Sequence, residues 1–286
     1  RGGGGGGGRI AIYYLDASVG TVTTFANSSA SGGYGNGKQY AEPGALAFVD
    51  RGNDDLSMSD DSLRVYEGWR FESVDQPFAY AGFTAENAKL RTSLVEDALE
   101  ISVPDTILAG TTTWEVGSEG LSLTTANLTL ADTAAIDGTS TSPVTLSVTV
   151  GAVMESGTQV TGGDIILDGG GSWDLQNTAS ITGSDTVTLS GGSWDLQDTA
   201  SIVGNLDIDV AYLSLAAGAV LDASGAGFDA GAGPGAGDST SNGDHSGAGG
   251  GHGGAGRNGR GTTGGSSYDS ALEPALAGSG GGSCTG

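Results

Sequence analysis

Two ten-residue segments, Ser172–Ile181 and Ser193–Ile202, are nearly identical and lie 21 residues apart. Both read Ser-Trp-Asp-Leu-Gln, then Asn or Asp, then Thr-Ala-Ser-Ile. Looser copies flank them: Leu128-Thr129-Leu130 leads to Ala134-Ala135-Ile136, and Leu213-Ser214-Leu215 leads to Ala219-Val220-Leu221. Strand-like runs at Gly163–Leu167, Thr186–Leu189 and Leu206–Val210 separate the copies. A short repeat of alternating strands has no way to bury its apolar side by itself, so neighbouring repeats must stack. One repeat is then one coil, pairing in parallel with the next about 4.8 Å away. The expectation is an all-β fold, a parallel β-solenoid over residues 111–225, with roughly five coils. Their lengths vary, because only the two central copies keep one spacing.

Composition removes the competitors. Fifty-five of 286 residues are glycine and only two are lysine, and glycine costs too much backbone entropy for a helical protein. Six scattered prolines exclude collagen. No apolar run reaches the roughly 18 residues of a membrane-spanning helix. Charge narrows the partners. The formal net charge is −24, and from Thr92 to Gly256 there is no Lys or Arg against 21 Asp and Glu. Such a surface repels phosphate backbones and anionic membranes, so nucleic acid is not an expected partner even though Arg1 to Arg9 encloses seven glycines. Divalent cations suit it.

The remaining chain divides by composition. Residues 1–50 read as a glycine-rich leader with strands at Arg9–Leu15 and Ala45–Val49. Residues 51–110 read as a β-strand region leading into the solenoid. Within it Ser62–Ser73 alternates, with Leu63, Val65, Trp69 and Phe71 on one face. Leu90, Leu94 and Ala98 have helical spacing behind Thr84, which favours a short helix or an irregular lead before Leu99, Ile101 and Val103 alternate. Residues 226–286 form a glycine-rich region with almost no apolar side chains. If ordered, it packs as extended polyglycine segments of polyproline-II type or stacks on neighbouring subunits. The first residue is Arg1 rather than Met, as expected of a processed product, a fragment or one unit of something longer.

The succession Val220-Leu221-Asp222-Ala223-Ser224-Gly225, a Gly-Ala-Gly-Pro-Gly stretch, His252 within glycines and Gly264-Gly265-Ser266-Ser267-Tyr268 resembles the repeat modules of giant secreted surface proteins of bacteria and archaea. In those modules a glycine-rich exit runs into a strand like Gly8-Arg9-Ile10-Ala11-Ile12-Tyr13-Tyr14, with which this chain begins. The resemblance covers the first 25 residues or so and Leu213–Gly286. It implies an extracellular structural or adhesive role and no catalytic site.

Stacking coils 21 residues apart brings Asp174 beside Asp195 and Asn177 beside Asp198. Two carboxylates about 5 Å apart in water repel by roughly 0.8 kcal/mol. A Ca²⁺ ion held by Asp174, Asp195 and Asp198 would turn that into attraction; the alternative is a solvated acidic face. Asp164, Asp168, Asp229, Asp238 and Asp244 lie in glycine-rich loops without selecting one site. Trp173 and Trp194 share strand parity with Leu175 and Leu196, which makes them a stacked core pair rather than a sugar platform. His245 and His252 match no zinc spacing. Cys284, the single cysteine, suits intermolecular pairing or is an incidental thiol. Asn27-Ser28-Ser29 and Asn127-Leu128-Thr129 fit glycosylation acceptors.

These readings favour a secreted structural subunit, not an enzyme. The solenoid lacks the cations that stabilise a developing anion, and nothing selects one carboxylate pair for a polysaccharide hydrolase. Open coil ends template further copies of the same chain. The apolar strand carrying Ile10, Ile12 and Tyr14 is suited to strand addition into a neighbour, with Cys284 a further assembly residue. The alternative is a calcium-dependent adhesin that recognises surface glycans.

Overall fold

A computed structural model describes residues 9–14, 45–50, 62–72, 78, 80–94, 97–241, 246–270 and 276–284. Among them the regular elements are all strands. β1 (Arg9–Tyr14) and β2 (Ala45–Asp50) precede β3 (Ser62–Glu72), β4 (Gly82–Leu94), β5 (Leu99–Ala109), β6 (Thr113–Val116), β7 (Leu121–Leu130), β8 (Ala135–Gly138) and β9 (Val144–Met154). Then come β10 (Gln159–Gly162), β11 (Ile165–Asp168), β12 (Ser172–Leu175), β13 (Ser180–Ser190), β14 (Ser193–Leu196), β15 (Ser201–Asp209), β16 (Tyr212–Leu215) and β17 (Val220–Asp222).

From β3 onward every strand ladder is parallel. The strands form a β-solenoid of about seven turns with three walls. Each wall carries a register of inward apolar residues. In the first wall it runs Val65, Ala85, Leu108, Leu130, Met154, Leu175, Leu196, Leu215. In the second it runs Trp69, Leu90, Trp114, Ile136, Val160, Ile181, Ile202, Leu221. In the third it runs Phe78, Ile101, Leu123, Leu146, Leu167, Leu189, Ile208. Coil length follows from the second register: 24 residues from 90 to 114, 21 from 181 to 202, and 19 from 202 to 221.

The parallel stack reaches back past Thr111 to Ser62, so β3, β4 and β5 belong to the coils as the repeats do. Here the expected helix is overturned. Thr84–Leu94 lies wholly within β4, which pairs with β3, β5 and β6. Asn87, at φ 50°, breaks the strand into one half for the first wall and one for the second. With that kink, Ala85 and Leu90 both face the core, and tertiary pairing outweighs the local helical spacing.

The repeated motif is the corner between those walls. The amide of Ala134, Ala179 or Ala200 donates to the carbonyl three residues back, at 3.1, 2.9 and 2.9 Å. Asp132, Asn177 and Asp198 occupy the left-handed position, at φ 59°, 49° and 48°. Asn and Asp tolerate that conformation better than other side-chain-bearing residues. The small residue that follows is buried, as Ala134, Ala179 and Ala200 are. Thr112 and Thr158 fill equivalent positions, each hydroxyl donating at 2.6 Å to the carbonyl three residues back.

At the N-terminal end the strand direction reverses. β2 pairs antiparallel with β3, and β1 pairs parallel with β2.

Residues 223–286 form a separate compact unit. Its segments exchange backbone hydrogen bonds in steps of three. Phe228 N and Gly231 N donate to Gly278 O and Gly281 O, both at 2.8 Å. Ser279 N and Gly282 N donate to Gly251 O and Ala248 O, while Ala248 N and Gly251 N donate to Asp238 O and Gly235 O. A pleated strand would bond along one edge in steps of two; three is the period of the polyproline-II helix. Added Cβ atoms at Gly256, Gly264, Gly265, Gly280 and Gly282 would overlap neighbouring carbonyls. Glycine is present because its neighbours are backbone.

Candidate functional site

The feature with most chemical consequence is the last coil. Leu215 continues the register of Leu196, yet it is 47% exposed where Leu196 is 0%. Ile208 and Leu221, which follow the fully buried Leu189 and Ile202, are only partly buried. Tyr212 and Val220 are also exposed. Among the described residues β16 pairs only with β14, and β17 only with β15. An uncovered strand edge is usually blunted by proline, lysine or a bulge. None of these occurs between Tyr212 and Asp222.

Ile10, Ile12 and Tyr14 all belong to β1, at register positions opposite Leu46, Phe48 and Asp50. Among the described residues β1 pairs only with β2. The expected assembly strand is therefore the outermost described strand of the first wall. Cys284 carries an exposed thiol outside any disulfide, and its backbone bridges Thr240 in parallel.

Asp174 and Asp195 are register neighbours. The expected trio with Asp198 is not gathered: Asp198 belongs to the corner, where Thr199 N and Oγ1 both donate to Asn177 O at 3.1 Å. Glutamine amides attend the carboxylates instead. Gln197 Nε2 donates to Asp174 Oδ1 at 2.7 Å and to Asp195 Oδ2 at 3.3 Å, and Gln176 Nε2 donates to Asp174 Oδ2 at 2.8 Å. Among the described residues no group of three or more His, Cys, Asp or Glu is arranged to hold a metal ion.

Trp173 and Trp194 stack at 4.7 Å with 3° between their planes, at 1% and 0% exposure. They are core residues. Their indole N–H groups have no hydrogen-bond partner, so offset stacking and apolar burial must outweigh that desolvation. His252 Nε2 hydrogen-bonds Leu276 O at 2.8 Å and lies 3.6 Å from Asp269 Oδ2, a loop-holding arrangement. His245, Asp244 and Asn27 lie outside the described residues.

The described cations of the solenoid, Arg64, Arg70, Lys89 and Arg91, all lie on β3 and β4. Glu115 receives Lys89 Nζ at 2.5 Å and Arg91 Nε at 2.7 Å beside a shallow groove lined by Asn87, Thr111 and Thr113. Burial pushes the Glu115 carboxyl up, but hydrogen bonds and charge from Lys89 and Arg91 outweigh it and hold the carboxyl below its usual range. A carboxylate lowered on folding stabilises above its unfolded pKa and loses that stabilisation as pH falls through its folded value. Glu115→Gln should therefore cost under about 1 kcal/mol at pH 7, with the difference from wild type shrinking as pH falls below the ordinary glutamate range and through the lowered folded value. Urea titrations at pH 7 and pH 3 check this, and an undiminished gap at pH 3 would refute it.

Comparison with protein-family models, with curated proteins and with solved structures found no match. The functional reading consequently rests on the fold and on the two ends of the coil stack.

Proposed function

We propose that the chain is a structural unit of a secreted, cell-surface filament or sheath, assembling with copies of itself end to end. The carrying observation is the last coil, whose core-register residues Leu215, Ile208 and Leu221 lack the cover that their equivalents one coil earlier possess. Each added copy supplies that cover and pairs the open backbone edges. The acidic surface, the glycine-rich unit and the resemblance to giant secreted surface proteins support an extracellular setting.

Negative-stain electron microscopy of the purified chain tests the reading. Regular filaments or sheets are expected, and discrete single particles at all concentrations would overturn it. Replacing Ile10 and Ile12 together with Asp should leave soluble monomers that do not polymerise. Polymers should persist in EDTA, because the Gln176 and Gln197 amides already engage the Asp174–Asp195 pair. Their loss in EDTA would return calcium to that ladder.

A further inference from the structure

Resting on that end-to-end reading, we propose that the junction is an antiparallel strand pair: β16 of one copy receives β1 of the next, head to tail. The argument is one of strand polarity. All first-wall strands from β3 to β16 run the same way. β2 opposes them, and β1 runs with β2. A copy displaced along the coil axis keeps its strand directions, so β1 of that copy meets β16 of the first in opposite sense. Parallel coiling therefore runs from β3 to β17 within each copy and is interrupted twice per repeat, at β2–β3 and at the β16–β1 junction.

Charge disfavours the tail-to-tail pairing. The head strands β1 to β4 carry Arg9, Arg64, Arg70, Lys89 and Arg91 against Asp50, Glu67, Glu72 and Glu86, a near balance of charge. The tail coil carries Asp207, Asp209 and Asp222 and no cation. Tail-to-tail docking would set these carboxylates against their own copies in the other chain. Head-to-tail docking sets them against an end of nearly balanced charge and avoids that repulsion, and charge of this kind fixes orientation more than affinity. The tail strand Tyr212–Leu215 holds no charge of its own, so pairing with β1 buries none there.

The sense of pairing is readable by crosslinking. Ile10 and Tyr14 are four residues apart on one strand, about 13 Å, beyond the span of a short bifunctional thiol reagent. In full-length Cys284→Ser chains, Tyr212→Cys protein is mixed with either Tyr14→Cys or Ile10→Cys protein under assembling conditions. Ala216→Cys protein, four residues further along the tail edge, is treated the same way. Antiparallel docking yields covalent dimers of Tyr212→Cys with Tyr14→Cys and of Ala216→Cys with Ile10→Cys, at least fivefold over the crossed pairs. The reverse preference means a parallel junction and overturns the proposal. Filaments that form normally from all four variants without crosslinking at either pair place the contact elsewhere, which also overturns it while leaving end-to-end assembly standing. If wild-type protein forms no polymers, the assembly reading fails and this junction fails with it.

Discussion

Trp194→Ala should destabilise the coil stack by about 3–5 kcal/mol, the range for removing a buried tryptophan. Trp194 is fully buried, stacks on Trp173 and lies in register between Ala152–Trp173 on one side and Leu213 on the other. Truncation leaves a cavity that neighbouring coils fill poorly, since each is held by ladders above and below. The matched control is Leu215→Ala, where the side chain is 47% exposed and much less apolar area is lost. Chemical denaturation followed by far-ultraviolet circular dichroism separates the two. Because each coil touches only its neighbours, hydrogen exchange should quicken first in β12 to β16. A Trp194→Ala cost below about 1 kcal/mol would contradict the packing described above.

The second large effect concerns the glycine-rich unit. Gly265→Ala should abolish its protected structure, because the new methyl would overlap the Gly235 carbonyl oxygen. Gly265 N also donates to Gly249 O at 3.0 Å, so the chain cannot withdraw without losing a bond. Gly253→Ala is the comparator. Nothing lies within 4 Å of its added Cβ, and reduced freedom of the unfolded chain makes it neutral or stabilising by up to about 1 kcal/mol. Peptide-resolved hydrogen exchange over residues 226–284 distinguishes them. Equal protection in both variants would mean that the three-residue bonding pattern does not hold this unit together.

Much of the solenoid was legible because inward positions repeat chemically. Trp173 and Trp194, Leu175 and Leu196, and Ile181 and Ile202 match pairwise, and the structure places each pair in register. The earlier coils were not legible as coils. Leu90 and Trp114 are 24 residues apart with different side chains, and Leu90, Leu94 and Ala98 happen to share helical spacing. Asn87 was the available signal, since its left-handed backbone bends β4 around the corner. The same signal reinterprets Asp198, read from spacing as a cation ligand, whose position matches Asp132 and Asn177 as a corner residue. The reversal of β1 and β2 had no sequence signal, because an apolar alternation such as Arg9–Tyr14 reads the same in either pairing sense.

The glycine-rich unit holds together with little oil. Ala248 is the one described hydrophobic residue in it that is buried, so its unfolding hydrates chiefly peptide groups. Exposing apolar area raises heat capacity and exposing polar area lowers it. The heat-capacity increment of this unit is therefore small for its length, and its stability curve is broad and shallow in temperature. The coil stack, with aromatic and aliphatic side chains lining its whole interior, has the steeply curved profile of an ordinary hydrophobic core. Cooling weakens the apolar drive of the stack while the backbone-bonded unit is nearly indifferent to it. One chain thus combines two materials with different thermal responses.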